Sequence, residues 1–210
     1  MPTIDWNRSW AKNLVHHMKG GLPGKFYGDQ WGDPEERPDL IAVRRRFLEP
    51  YVNPAHCALE IGSGGGRWTQ YLLPFREVIC VELNPEMFSY LIDRFDGPKH
   101  LNYVTTHGSD LPYVPEKHVD FAFSFGVLVH LDLPIIAGYV EALAPVMKPG
   151  GQAVLQFSNK SKPYAAGNPD FSDNDPKRMA ALLERHGFSI EELDDETLNH
   201  SSVIRAVKTA

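Results

Sequence analysis

The stretch Ala58-Leu59-Glu60-Ile61-Gly62-Ser63-Gly64-Gly65-Gly66-Arg67-Trp68-Thr69 passes from an apolar run through glycines into a helix-compatible segment. Strand, tight loop and helix in that order form the crevice in which a doubly wound sheet holds a nucleotide-like ligand. Glycines let the backbone turn sharply and approach a ligand with no Cβ in the way. Sixteen residues past Gly66, Glu82 stands at the end of the next apolar run. A carboxylate there can accept both ribose hydroxyls of an adenosine. A dinucleotide fingerprint requires G-x-G-x-x-G, but counting from Gly62 its last position is Arg67, which puts a side chain where the third glycine packs. The pattern is instead E-x-G-x-G-x-G, led by Glu60.

Outward from this loop, strand and helix patterns alternate. Residues 56–61, 78–83, 101–106, 119–125 and 152–157 read as strands, and 67–73, 85–95, 134–147 and 176–186 as helices, the last closed by Gly187. Such alternation implies a mainly parallel sheet covered on both faces. Residues 188–193 and 201–207 break the rhythm, being two strand candidates joined only by a loop, which can pair antiparallel. Lys148-Pro149-Gly150-Gly151 reads as the turn between a helix and the fifth strand. Residues 1–55 form an N-terminal helical and aromatic cap, with helices expected over 5–18 and 38–48, and the core spans 56–210 after a linker near 49–55. The expected fold is α/β: a doubly wound, mainly parallel seven-stranded sheet with a C-terminal antiparallel hairpin.

Composition narrows the function. With 21 Lys+Arg against 27 Asp+Glu the net charge is −6, which disfavours a dedicated phosphate-backbone binder. Hydrophobic residues at 42 % and charged residues at 23 % are ordinary globular usage and exclude a disordered or coiled-coil chain. Cys57 and Cys80 lie in apolar runs without zinc or redox spacing. No signal peptide or clean membrane span is visible, so a cytoplasmic setting is expected.

The glycine motif with Glu60 and Glu82 resembles that of the class I S-adenosylmethionine-dependent methyltransferases, and the resemblance extends over roughly residues 56–208. It implies S-adenosylmethionine as cofactor. The cofactor-binding set it implies is Glu60, Gly62, Gly64, Gly66, Trp68, Glu82, Leu83, Ser109, Asp110, Leu111 and Phe125. Gly108-Ser109-Asp110-Leu111-Pro112 looks like the adenine-contacting loop, although Asp110 serves equally well to cap a turn. Asp120 reads as a support of strand register. The terminal strands fit the family's reverse hairpin.

A sulfonium methyl is already electrophilic, so the protein must chiefly align the acceptor and exclude water. A hydroxyl acceptor additionally needs a base. His130, just past the fourth strand, is the first candidate, with Asp132 or another carboxylate to orient it; His200, between the last two strands, is the second. His107, His16 and His17 read as structural. Base amino-methyltransferases of nucleic acids usually carry (D/N)PP(Y/F) where this chain has Ser124-Phe125-Gly126-Val127, so no nucleic-acid partner is expected. Tyr27, Trp31 and Tyr164 are candidate acceptor contacts, since aromatic rings beside polar groups can stack on a sugar. Residues 158–175 read as a mobile rim or lid. The expected activity is O-methylation of a small soluble acceptor such as a sugar, glycoside or specialised metabolite. Mg2+ at His130 and Asp132, or at Asp173 and Asp175, is possible but no cage is identified. A cap-mediated homodimer would follow if Trp10 or Trp31 is exposed. The alternatives are a nicotinamide-dependent oxidoreductase and a non-catalytic S-adenosylmethionine-binding protein.

Overall fold

The protein is represented by a computed structural model that describes residues 7–8 and 26–210. Apart from Asn7 and Arg8, the helix expected over 5–18 lies outside the described residues, with Trp6, Trp10, His16 and His17. Seven strands, β1 (Cys57–Ile61), β2 (Glu77–Glu82), β3 (Leu101–Thr105), β4 (Val119–Ser124), β5 (Met147–Ser158), β6 (Phe188–Asp194) and β7 (Ser201–Lys208), form one sheet in the order β3-β2-β1-β4-β5-β7-β6. Strands β1 to β5 run parallel, and β7 lies antiparallel between β5 and β6. The strand order reverses between β1 and β4, where a doubly wound sheet opens its ligand crevice.

Six α-helices accompany the sheet among the described residues: α1 (Pro38–Phe47), α2 (Thr69–Leu72), α3 (Phe88–Phe95), α4 (Leu133–Val146), α5 (Pro163–Ala166) and α6 (Pro176–Arg185). Successive strand side chains point to opposite faces, and both faces are buried. Leu59, Ile61, Ile79, Val81, Ala122, Leu155 and Phe157 pack with Ile136, Val140 and Leu143 of α4 and with Met179 and Leu183 of α6. Ala58, Val78, Cys80, Phe121, Phe123 and Val154 pack on the other face with Leu72, Leu91 and the Val43 and Phe47 side chains of α1. The N-terminal helix α1 is thus part of a core layer.

Two sequence expectations change. Lys148-Pro149-Gly150-Gly151 does not precede β5 as a turn but belongs to it as a bulge: Val119 pairs with Met147 and Phe121 with Gln152, so four residues face Asp120 alone. Pro149 has no N–H for a regular ladder and Gly150 takes φ 81°, which together favour the bulge. Asp120 fixes the register, its carboxylate accepting the Cys57 backbone N–H at 2.9 Å and the Lys148 ammonium at 2.8 Å. The rim over 158–175 is pinned to its surroundings rather than built as a loose lid. Buried Asn159 donates its side-chain amide to Asp195 at 2.7 Å and Ser202 at 3.1 Å. The Lys162 ammonium donates to the Leu198 and Ser201 carbonyls at 2.6 and 2.9 Å, and the Ser172 N–H to the Val129 carbonyl at 2.8 Å. Asp175 caps α6 by accepting the Arg178 N–H at 2.9 Å, and Asp173 pairs with the Arg178 side chain.

Candidate active site

At the carboxyl ends of β1 and β4 lies a cavity of about 530 Å³, within the ~300–1,000 Å³ usual for small-molecule sites. Its floor is the loop after β1, whose glycines are required chiefly by protein neighbours. Gly62 has φ 77°, and a Cβ there would stand 2.1 Å from Val127 Cγ2 in the loop after β4. A Cβ on Gly65 would stand 2.1 Å from the Tyr27 carbonyl oxygen, so the segment around Tyr27 and Trp31 lies backbone to backbone on the loop. Gly66 packs under the Phe95 ring and is outside the cavity wall, whereas Gly62, Ser63, Gly64 and Gly65 line it.

Glu82 ends β2 with its carboxylate buried at the cavity edge. It accepts backbone N–H groups from Leu83 at 2.8 Å, Gly64 at 3.0 Å and Asn84 at 3.1 Å. Burial pushes its pKa up, and these three donors pull it back toward the charged form. One carboxylate offers about four acceptor sites, so capacity remains for a ribose hydroxyl beyond the three N–H groups. Beneath it, Glu60 is buried and accepts the Thr69 hydroxyl at 2.5 Å; burial lifts its carboxyl to about 7. The Trp68 indole N–H and the Ser63 hydroxyl are buried at the cavity without a partner among the described residues. Orphaned donors beside an acidic strand end suit a polar, hydroxyl-bearing ligand such as the adenosyl cofactor. Leu83 and Phe125 complete this part of the wall.

The loop after β3 is placed differently from the expectation. Gly108 reaches the cavity, but Ser109, Asp110 and Leu111 do not line it. Ser109 packs against α4 where Gly138 leaves room, and Leu111 is buried in the core. Asp110 caps its own turn, accepting the His107 N–H and ring nitrogen at 2.6 Å and the Thr106 hydroxyl at 2.7 Å. Burial would raise its carboxyl, but these bonds hold it down to about 2.

Both candidate bases line the cavity, with Tyr27, Trp31 and Tyr164. His130 ends the short 3-10 turn Leu128–His130 beyond β4, and its ring stacks on Phe171 at 5.4 Å. Its orienting partner is the Asp170 backbone carbonyl, 2.9 Å from Nδ1, rather than Asp132. Asp132 instead starts α4, its carbonyl accepting the Ile135 and Ile136 N–H groups. A proton on Nδ1 donated to Asp170 leaves the lone pair on Nε2. Burial lowers the His130 pKa from its ordinary 6.5, which favours the neutral ring. His200 is lowered further, to about 4, by burial and then by His130. Its Nδ1 lies 2.8 Å from Asn199 Oδ1, and its Nε2 3.5 Å from the Gln156 amide.

Gln156, Asp170, Phe171 and Tyr139 were missed from sequence, although a lone amide in the apolar run Val154-Leu155-Gln156-Phe157 was a usable sign. Gln156 is buried, and its Oε1 accepts the Gly126 N–H at 2.6 Å, fixing the turn after β4. Arg67 lines the cavity with a contact to the Gly32 carbonyl at 3.3 Å and no carboxylate partner among the described residues; burial lowers its pKa to about 10. It remains charged at pH 7, and an anionic group in the cavity would neutralise it. Neither His130 with Asp132 nor Asp173 with Asp175 gathers a third metal-type ligand among the described residues.

Residues 58–151 match a family model described as a methyltransferase domain. The probable ribosomal RNA small subunit methyltransferase A of Methanosarcina mazei is 31 % identical over 97 residues, 38 % of this chain; the match spans only 36 % of that relative's length. Among solved structures, the 1,6-didemethyltoxoflavin-N1-methyltransferase of Burkholderia thailandensis, with its acceptor and S-adenosylhomocysteine bound, is 18 % identical, with TM-score 0.67. That likeness covers 98 % of this chain and 90 % of the other. An S-adenosylmethionine-dependent methyltransferase of Mesorhizobium loti is 16 % identical over 83 % of this chain and 100 % of its own, with TM-score 0.66.

Proposed function

We propose that this class I S-adenosylmethionine-dependent methyltransferase methylates a hydroxyl of a small soluble acceptor, with His130 as general base. The observation that carries the reading is the His130 ring in the cavity wall, held through Nδ1 by the Asp170 carbonyl at 2.9 Å. When bound, the cofactor supplies an electrophilic methyl group on sulfur. The chain's own residues do the rest. Glu82 and the loop after β1 receive the ribose, while Trp68 and Ser63 gain partners for their buried polar groups. His130 Nε2 takes the acceptor's proton as the new C–O bond forms. The alternative base, His200, already faces the Gln156 amide with its Nε2 and serves better as part of the wall. Tyr27, Trp31 and Tyr164 offer ring faces to a sugar-like acceptor, with Asn168 and Asn199 nearby on the same wall to meet hydroxyls.

A second reading, an RNA acceptor, is favoured by the Methanosarcina relative named as a probable ribosomal RNA methyltransferase. The net charge of −6 weighs against it. The deciding experiment measures label transfer from methyl-labelled S-adenosylmethionine to a panel of sugars, glycosides, phenols and ribosomal RNA. Transfer to a hydroxyl compound, lost about 10²–10⁴-fold in kcat on His130→Ala with S-adenosylhomocysteine affinity unchanged, is expected. Transfer to RNA alone, or full turnover by His130→Ala, would overturn the reading. Binding without transfer to any acceptor would favour a non-catalytic sensor.

A further inference from the structure

At the opposite end of the sheet, a strand's length or roughly 15 Å from the cavity, three side chains that methyl transfer does not use converge. Cys57 opens β1, Glu77 opens β2 and is its partner across the parallel ladder, and His118 immediately precedes β4. Glu77 Oε2 and His118 Nε2 are 2.8 Å apart, and one ligand atom from each of the three residues lies within 4.8 Å of the others. The Cys57 side chain is fully buried, while Glu77 and His118 are about a quarter to a third exposed, which leaves an entry path from solvent.

We propose that Cys57, Glu77 and His118 form a zinc-binding site, with water in the fourth position. A thiolate and an imidazole favour zinc over magnesium or calcium, which select all-oxygen sites. One thiolate and one carboxylate balance a divalent cation, and the neutral imidazole adds no charge, so the complex places no net charge at the buried sheet end. On binding, a Zn–S bond forms and the thiol proton passes to solvent. The Glu77–His118 hydrogen bond is exchanged for one bond from each residue to the metal, and the His118 Nε2 proton moves through solvent to Nδ1, so the ligating ring stays neutral. Zinc–ligand bonds of ~2.0–2.3 Å put ligand atoms about 3.5 Å apart, so closure needs shifts of about 1 Å in side chains that are partly exposed. An outer partner is in place: the Asn102 amide donates to the other Glu77 oxygen at 2.7 Å and fixes the carboxylate plane. Sequence spacing hides this trio, because its members come from three segments that only the sheet brings together.

The test uses the full chain, stripped with a chelator, and titrates Co2+ as the spectroscopic probe followed by Zn2+. One metal per chain is expected, with a thiolate-to-cobalt charge-transfer band that one equivalent of zinc displaces and a melting temperature that rises with zinc. The band should vanish in Cys57→Ser, and His118→Gln should weaken zinc binding about tenfold or more. His118→Gln alters a partly exposed side chain and so carries the test if Cys57→Ser fails to fold. S-adenosylhomocysteine affinity should be unchanged in His118→Gln. Absence of the band in the folded wild type, or undiminished zinc affinity in His118→Gln, would overturn the proposal.

Discussion

His130 and His200 both line the cavity, joined through the Phe171 ring, and have different hydrogen-bond partners. His130 has the Asp170 carbonyl 2.9 Å from Nδ1, and His200 has Asn199 Oδ1 2.8 Å from Nδ1 and the Gln156 amide 3.5 Å from Nε2. Because burial lowers the His130 pKa from its ordinary 6.5, the base is lost only as pH falls below that value. The expected kcat/KM therefore falls on the acid side of pH 6.5 and is level from pH 7 upward. A profile still rising between pH 7 and 9 would indicate another base. His200→Asn should leave the acid limb in place, since its ring, at about 4, is already neutral throughout that range. These residue roles were only half legible in the sequence. Position after a strand pointed to His130 as a candidate base, but its orienting group is a backbone carbonyl from a distant loop, which no side-chain pattern encodes. The Asp110 carboxylate is used by its own turn, and Asp132 stands at a helix start through its backbone carbonyl, with no side-chain bond to the His130 ring.

The loop after β1 and the segment around Tyr27 act as one element, because Gly65 admits the Tyr27 carbonyl where a Cβ would clash. Gly65→Ala must push that segment off the loop, at an overpacking cost of about 1–3 kcal/mol. The expected variant is folded but binds S-adenosylhomocysteine more weakly, as titration calorimetry would detect; unchanged affinity would mean the Tyr27 segment is not coupled to the cofactor floor. Helix α1 is likewise integral, with Phe47 fully buried beside Leu72 and Phe121. Phe47→Ala should destabilise the chain by about 3–5 kcal/mol in urea unfolding, whereas a cap loosely attached by its linker would lose far less. Apolar runs and glycine breaks made six of the seven strands legible at nearly their observed limits, and β5 begins five residues earlier than its apolar run. The β5 bulge was not legible, since Pro149 and Gly150 signal a turn locally and only pairing with β4 draws them into a strand. The pinned rim was also hidden, because Asn159 and Lys162 find their partners in the C-terminal hairpin.

At the scale of the molecule, parallel strands β3 to β5 end together, and the reversal between β1 and β4 opens the one place where Glu82, the glycine loop and His130 meet. Among the described residues no helix is long and apolar enough to cross a membrane. The same topology sets Cys57, Glu77 and His118 at the other end of the sheet, so ligand and metal effects should be separable and additive in melting temperature. Glu82 links the two halves of the cofactor reading: its carboxylate organises three backbone N–H groups and faces the cavity. Glu82→Gln places an amide NH2 against those donors and removes the charge, a loss of about 1.5–3 kcal/mol per charged hydrogen bond in binding. The most direct measurement is calorimetric titration of the wild type and Glu82→Gln with S-adenosylhomocysteine, with NADH run in parallel on ligand-free protein. One S-adenosylhomocysteine per chain, no NADH, and affinity reduced at least about tenfold in Glu82→Gln is the expected result. Binding of NADH in preference, or equal S-adenosylhomocysteine affinity in the two proteins, would contradict it.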